Sequence, residues 1–140
     1  YEVEKGIFSD NIETDNLNTL YASYMKQFLG LDIDNDAQGI LQDVHWSGAS
    51  FGYFPTYALG SAYAAQFMAQ MEKDIDVEDL LVKGDLASIF AWLQENIHQY
   101  SGLIPTQTMI EKVSGEVFKP DYYVNYLLSK YSKLLGIELD

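Results

Sequence analysis

The chain has 140 residues, 48% of them hydrophobic, which is enough for one compact domain with a core. Its formal net charge of −13, with only eight lysine and arginine residues, argues against nucleic acid and against an anionic membrane surface, because both require clustered cations. No cysteine is present, so disulfides and thiolate chemistry are excluded.

Helical periods dominate the first half of the chain. Apolar residues recur at three- and four-residue steps over residues 17–29, and Gly30 is placed to end that helix. An acidic stretch, LDIDNDAQG, follows at residues 31–39. Pro55 suits the first position of a later helix, where its missing N–H costs nothing. Small residues at positions 58–65 predict that this helix is buried on most sides.

The second half continues the helical pattern. A short acidic helix is predicted before Gly84, and Asp85 can cap the helix after it. The last two helices each begin at a proline and end at a glycine, namely Pro105 and Gly115, then Pro120 and Gly136. No segment alternates as a strand does, and no linker divides the chain. The sequence therefore predicts an all-α protein in which residues 1–140 form a single unit.

The chemically richest segment is GILQDVHWSGASFGYFPTY at residues 39–57. Its glycines and its proline allow the backbone to approach a ligand. Its polar side chains include two phenols, a histidine and an acid–amide pair, which are Gln42, Asp43, His45, Tyr53 and Tyr57. Packing of aromatic rings and capping of turns are the alternative roles for these side chains.

A metal site built by this chain alone is not expected. A catalytic zinc site needs three protein ligands, and the two histidines, His45 and His98, lie in different elements without an HExxH sequence. His98 is expected to be a surface residue or to interact with a helix dipole.

Calcium binding is a weaker possibility. The aspartates Asp32, Asp34, Asp36 and Asp43 imitate the spacing of an EF-hand loop. However, Ala37 stands where the sharp turn of that loop needs glycine. A solvated acidic loop is the favoured interpretation.

Two motifs make the chain resemble a known family. Residues 39–46, GILQDVHW, match the GxxQDxHW motif of the carboxypeptidase Taq family of metallocarboxypeptidases, and residues 52–57, GYFPTY, match a second motif of that family. Two multi-residue matches in the right order form a specific signal. The similarity continues to PDYYVNYLLSKYSKLLG at residues 120–136, so it covers essentially the whole chain.

The resemblance implies a piece of an elongated, helical, cleft-bearing zincin metallopeptidase that removes residues from peptide C-termini. In that family the HExxH helix, a further metal-binding glutamate and the arginine of an IRxxAD motif lie upstream of these motifs. Because the chain begins at Tyr1, within sequence typical of a helix end, we expect a C-terminal fragment. The zinc or other divalent metal then belongs to the full-length enzyme. None is expected on this chain, which should be inactive alone.

Within this resemblance the polar residues of the segment acquire expected roles. A carboxypeptidase holds a free terminal carboxylate, and Gln42 and His45 can supply donors for it. Asp43 is expected to orient His45. Tyr57 is the expected oxyanion stabiliser, because a phenolic O–H suits that task. Tyr53 is then the expected contact for the substrate carboxylate, by analogy with related zinc peptidases.

The expected partners are the C-terminus of a peptide substrate, the missing N-terminal part of the enzyme and further copies of the chain. An excised piece should expose apolar surface around residues 60–65 and near Trp46 and Phe54. A cytoplasmic location is expected, because the sequence shows neither a signal peptide nor a membrane span.

The alternative function is a stand-alone helical interaction module without activity. The reading frame that encodes the chain distinguishes the two hypotheses. An HExxH sequence upstream supports a metallocarboxypeptidase fragment, whereas a stop codon or unrelated sequence supports the module.

Overall fold

The computed structural model describes residues 1–10, 12–100 and 102–138. Over this part of the chain the fold is helical without a strand, which confirms the predicted all-α class. Its α-helices are α1 (Glu2–Ser9), α2 (Leu17–Leu29), α3 (Pro55–Asp74), α4 (Val77–Lys83), α5 (Leu86–Asn96), α6 (Thr106–Ser114) and α7 (Asp121–Leu135). The chain divides into two compact units, Tyr1–Ala58 and Leu59–Asp140.

Unit 1, Tyr1–Ala58, contains the contact between α1 and α2. Helix α1 buries Val3, Glu4 and Gly6. Helix α2 ends at Gly30, whose φ of 70° is the left-handed conformation that glycine adopts without strain. From there to Pro55 the chain runs through irregular backbone and two 3-10 turns, Ile40–Gln42 and Trp46–Gly48.

Unit 2, Leu59–Asp140, has its core around Met71, Val77 and Trp92. Partly buried apolar side chains pack against these three residues, including Ile89 and Leu93. The indole nitrogen of Trp92 donates a hydrogen bond of 2.8 Å to the Asp74 carboxylate, so the buried ring keeps a partner for its polar atom. Helices α4 and α5, which follow α3, have the side chains of Asp76 and Asp85 as their N-caps.

Gln66 joins α3 to the segment between α6 and α7. Its side chain is fully buried, and its amide nitrogen donates to the Ser114 hydroxyl at 2.9 Å and to the Val117 carbonyl at 3.1 Å. Its amide oxygen accepts from the backbone N–H of Lys119 at 3.0 Å. Since a buried amide is costly unless it is hydrogen-bonded, these three bonds specify the position of Gln66.

Helix α3 is far more exposed than the sequence predicts. Only Ala62, Gln66 and Met71 are buried along its length, whereas Gly60 and Ala64 are exposed. The prediction that this helix is buried on most sides is wrong for this chain, because its neighbours cover one stripe and leave the remaining faces open. The expected apolar exposure around residues 60–65 is therefore present.

Apolar exposure near Trp46 and Phe54, the second place where it is expected, is uneven. Phe54 is 58% exposed, whereas Trp46 is half-buried. Across the described ranges, no helix combines the length and the apolar character that crossing a bilayer requires.

Candidate functional site

Local hydrogen bonds shape the segment at residues 39–57, which lies within unit 1 and ends in the first turn of α3. The Ser47 hydroxyl donates to the Val44 carbonyl at 2.7 Å, and the Ser50 N–H donates to the His45 carbonyl at 3.0 Å. Helix α3 then begins at Pro55, as the sequence predicts. The Thr56 hydroxyl closes the first turn by donating to the Tyr53 carbonyl at 2.6 Å. The loop between His45 and Tyr53 is therefore bounded by hydrogen-bonded turns.

Asp43 contacts His45 at two nitrogen atoms. One oxygen of its carboxylate, Oδ1, lies 2.9 Å from the His45 backbone nitrogen and 2.9 Å from the ring atom Nδ1. Because an ionised carboxylate only accepts hydrogen bonds, this contact assigns the ring proton to Nδ1 and leaves Nε2 as the nitrogen that can meet a ligand. Both side chains are mostly buried, with exposed fractions of 20% for Asp43 and 23% for His45.

Aromatic rings surround His45. Its ring centroid lies 5.5 Å from those of Tyr53 and Phe54 and 6.2 Å from that of Tyr57. The two tyrosine rings meet edge to face at 5.4 Å. The three rings are about half exposed, so a ligand can reach them from solvent. We refer to His45, Tyr53, Phe54 and Tyr57 as the ring cluster.

The two phenols of the ring cluster interact. A hydrogen bond with the Tyr53 hydroxyl raises the pKa of the Tyr57 phenol, and the charge that Tyr53 carries when ionised adds to the increase. Tyr57 is consequently harder to ionise than an ordinary tyrosine and keeps its O–H as a donor throughout the neutral and mildly alkaline range.

Gln42 is placed differently from the other predicted site residues. It lies in the turn Ile40–Gln42, and its side-chain nitrogen donates to the carbonyl oxygen of Ala37. This bond stabilises the loop between Ala37 and Gln42. A cleft of about 550 Å³ beside Gln42's turn is lined by Leu41, Asp43 and Trp46, among others, but not by the ring cluster.

Glu4 is a residue that the sequence did not single out. It lies on α1, is 7% exposed, and its Oε1 accepts hydrogen bonds from the Trp46 indole nitrogen at 3.0 Å and from the Gly52 backbone nitrogen at 2.9 Å. A glutamate in a helix is normally solvated, and these donors are more than 40 residues away in the sequence, so no local pattern indicates the contact.

The remaining polar residues that the sequence singles out lie in other elements. His98 begins a 3-10 turn and is exposed. In the acidic stretch, Asp32 pairs with Lys26 at 2.7 Å and Asp36 accepts from the Asn18 side chain at 3.2 Å. Among the residues described, no group of three or more His, Cys, Asp or Glu side chains is placed to hold a metal ion. The pair Asp43 and His45 provides two of the three or more protein ligands that a metal needs, so these residues do not fit a metal centre by themselves.

Sequence comparison finds relatives along nearly the whole chain. The model of a family described as carboxypeptidase Taq (M32) metallopeptidase matches residues 1–131. Carboxypeptidase 1 of Bacillus subtilis is 41% identical over 135 residues, which make up 96% of this chain and 27% of that protein. Thermostable carboxypeptidase 1 of Pyrococcus furiosus is 34% identical over 132 residues, or 94% of this chain and 26% of that protein.

Comparison with solved structures gives the same correspondence. Metallocarboxypeptidase 1 of Trypanosoma cruzi matches with a TM-score of 0.87 at 39% identity, covering 94% of this chain and 27% of its own. An M32 carboxypeptidase from Deinococcus radiodurans matches with a TM-score of 0.88 at 29% identity, covering 98% of this chain and 28% of its own. The chain thus spans only 26–28% of the length of these relatives.

Proposed function

Because the chain belongs to the carboxypeptidase Taq (M32) metallopeptidase family, as its two motifs predict, we propose that it forms the C-terminal substrate-cleft region of a metal-dependent carboxypeptidase. The enzyme would remove residues from the C-termini of peptides, as the names of the relatives indicate for those proteins. The observation that carries the proposal is the ring cluster, in which a histidine oriented by an aspartate meets two phenols on a segment that carries both family motifs.

Recognition of the substrate carboxylate is proposed for His45 and Tyr53. A terminal carboxylate requires convergent hydrogen-bond donors in a partly dry pocket. Donors are needed here because the chain is rich in acidic groups, which repel a carboxylate. When the His45 ring carries both protons, Nε2 can donate to a carboxylate while Nδ1 donates to Asp43. Tyr53 adds a phenol beside the same ring. Gln42 remains a proposed contributor only if its side chain leaves the Ala37 carbonyl when substrate binds.

Stabilisation of the oxyanion is proposed for Tyr57. Hydrolysis of a peptide bond develops negative charge on the carbonyl oxygen, and a neutral O–H aimed at that oxygen stabilises the transition state. An ordinary phenol already keeps its proton at neutral pH, and the raised pKa of Tyr57 extends that range to more alkaline pH. Its position in the first turn of α3 gives the ring a rigid support.

The metal that the family name implies is proposed to lie outside this chain. Zinc or another divalent metal would be held by residues of the N-terminal part of the enzyme, since the described residues here lack a suitable cluster. The chain alone is therefore proposed to be inactive, and the N-terminal part is its first proposed partner.

The proposal is tested by measuring release of C-terminal residues from peptides by the whole enzyme that contains this chain. The change Tyr57→Phe removes one hydroxyl and keeps the ring, so kcat should fall by ~10²-fold or more, as is usual for an oxyanion donor. The matched control is Tyr63→Phe, a tyrosine of the same helix that packs edge to face on Phe118 at 5.0 Å and should keep normal turnover.

Two results would contradict different parts of the proposal. No release of C-terminal residues by the unchanged enzyme would remove the activity itself. A kcat for Tyr57→Phe within a factor of about three of the unchanged enzyme would remove the oxyanion role and leave the activity intact.

A further inference from the structure

The loop at residues 46–52 connects the two halves of the ring cluster. His45 immediately precedes it, and Tyr53 immediately follows it. Local hydrogen bonds from the N–H groups of Gly48, Ala49 and Ser50 shape its first part, and Ala49 and Gly52 adopt left-handed φ values of 57° and 71°. The distance between the His45 and Tyr53 rings depends also on the contacts that hold the two ends of this loop.

Helix α1 holds the loop at both ends through a single atom. Oε1 of Glu4 accepts from the Trp46 side chain at 3.0 Å, at the start of the loop, and from the Gly52 N–H at 2.9 Å, at its end. An apolar contact runs beside these bonds, where Phe51 stacks on Trp46 at 5.9 Å and meets Phe8 of α1 edge to face at 5.3 Å. Glu4 thus bridges the residues next to His45 and Tyr53.

Burial makes the position of Glu4 informative. A carboxylate is rarely buried unless it is paired or hydrogen-bonded, and Glu4 is only 7% exposed. Its second oxygen, Oε2, lies 3.9 Å from the α-amino group of Tyr1 and receives no hydrogen bond from the described residues. The two N–H donors of the loop are therefore the hydrogen-bond partners of the buried carboxylate, and the carboxylate in turn fixes their separation.

We propose that Glu4 is a positioning residue for the substrate-binding cluster, holding the loop at residues 46–52 so that His45 and Tyr53 face the same ligand. The inference rests on the proposed function of these two residues. Glu4 does not touch the ring cluster itself, and it acts through Trp46 and Gly52.

The chain offers favourable probes for a test by nuclear magnetic resonance. It contains two tryptophans and two histidines, one of each in either unit. The indole N–H of Trp46 reports the bond to Glu4, and that of Trp92, which donates to Asp74, is an internal reference. The carbon-bound ring protons of His45 report its distance from the neighbouring aromatic rings, and those of His98 serve as their reference.

Two substitutions separate positioning from mere packing. Glu4→Gln keeps an amide oxygen that can accept both hydrogen bonds, whereas Glu4→Leu keeps the bulk and removes the acceptor. We expect Glu4→Leu to shift the Trp46 indole and the His45 ring signals and to leave those of Trp92 and His98 unchanged. In Glu4→Gln, by contrast with Glu4→Leu, the His45 signals should stay at their positions in the unchanged chain. Glu2→Gln, on the exposed side of the same helix, should move none of the four.

A merely structural role for Glu4 would lower the unfolding temperature of both variants without moving the His45 ring signals of the folded molecules. That outcome, or His45 signals that Glu4→Gln fails to restore, would overturn the inference. Hydrogen exchange in the unchanged chain provides a check that does not depend on a variant folding. The Gly52 amide should be protected although it lies in a loop, and exchange at the rate of an unprotected amide would also overturn the inference.

Kinetics of the whole enzyme connect the contact to function. If Glu4 positions the carboxylate contacts, Glu4→Leu should raise KM for peptides at least tenfold, and Glu4→Gln should recover most of that loss. An unchanged KM would overturn the positioning role while the proposed function stands. Absence of carboxypeptidase activity in the unchanged enzyme would instead remove the proposed function, and the resonance and exchange results on the chain would be unaffected by it.

Discussion

Backbone conformation at Ala49 is the clearest sign of strain at the residue scale. Among the residues described, it is the one non-glycine residue at positive φ, with a φ of 57° and a ψ of 24°. Residues held in such conformations concentrate at functional sites, where the surrounding structure stabilises them. Ala49 lies midway between His45 and Tyr53, which agrees with a loop whose shape serves the ring cluster.

Replacing Ala49 by glycine should therefore stabilise unit 1. The left-handed conformation costs a non-glycine residue roughly 1–2 kcal/mol. The extra freedom of glycine in the unfolded chain takes back about 0.4–1 kcal/mol. We expect a net gain of about 0.5 kcal/mol in the free energy of unfolding for Ala49→Gly, measured by denaturant titration with the Trp46 indole signal as probe.

In the matched control, glycine should change the free energy of unfolding in the opposite direction. Ala58 is exposed and lies in α3, where glycine is unfavourable, so Ala58→Gly should lower the free energy of unfolding by about 0.5–1 kcal/mol. Equal effects of the two substitutions would show that the backbone at Ala49 carries no strain.

The proximity of the candidate side chains is predictable from sequence where its determinants are local. The pair Asp43 and His45 is two residues apart, and the phenols flank Pro55, so their proximity follows from turn geometry and motif spacing. Glu4 could not be found in this way, because its bonds to Trp46 and Gly52 span 42 and 48 residues. The engagement of Gln42 with the Ala37 carbonyl was also not predicted, since an amide side chain has many backbone acceptors within reach.

At the scale of elements, helix ends were the most predictable features. Glycines end α2, α4, α6 and α7 with positive φ, at Gly30, Gly84, Gly115 and Gly136. Such ends depend on the conformation of one residue and so are readable from sequence. The burial of α3 was not predictable from sequence. Its small residues allow a neighbour to come close, but they do not show whether this chain contains that neighbour.

The cap of α5 gives a test that depends on pH. The Asp85 side chain accepts from the Ser88 backbone N–H at 3.2 Å and from the Ser88 hydroxyl at 2.7 Å. The Ser88 hydroxyl is the main cause of a lowered pKa for the Asp85 carboxyl, with the Ser88 backbone N–H second. A carboxyl whose pKa is lower in the folded state stabilises the fold above its unfolded pKa, near 3.8, and loses that contribution as the pH falls through the folded value.

We therefore expect the stability difference between the unchanged chain and Asp85→Asn to shrink as the pH falls from about 6 to about 3. Asparagine keeps a good cap and lacks the titrating group, so α5 should still form. Unfolding is followed with the Trp92 indole signal, which reports the core of unit 2. Ser88→Ala should weaken the pH dependence, because it removes the main cause of the shift. A difference that stays constant with pH would contradict the assigned cause.

At the scale of the whole molecule, the main feature is uncovered apolar surface. In unit 2 a groove of about 450 Å³ between α3 and α7 is lined by small residues of α3 and by tyrosines of α7, including Ala64, Ala65, Tyr123 and Tyr126. At the end of α7, Leu134 is 67% and Leu135 is 62% exposed. In unit 1, Phe28 and Leu29 at the end of α2 are 61% and 62% exposed. Large exposed apolar surface is normally covered by another chain or another part of the same chain.

Self-association should follow, with a salt dependence set by charge. The net charge of −13 makes copies of the chain repel one another, while burial of exposed side chains such as Leu134 favours contact. Salt shortens the range of the repulsion, to ~10 Å at 0.1 M and ~3 Å at 1 M, and leaves the hydrophobic contribution in place. We expect the mean mass from light scattering to rise with chain concentration and to rise further with added salt.

Two substitutions on α7 can separate the contribution of charge to self-association from that of apolar surface. Leu134→Lys adds one positive charge and removes apolar surface, whereas Ser129→Lys adds the same charge at an exposed polar position. If apolar burial drives association, Leu134→Lys should lower the mean mass and Ser129→Lys should raise it slightly by reducing the repulsion. A monomer at every concentration and salt level would contradict the expected association, and equal effects of the two variants would assign it to charge and not to the exposed end of α7.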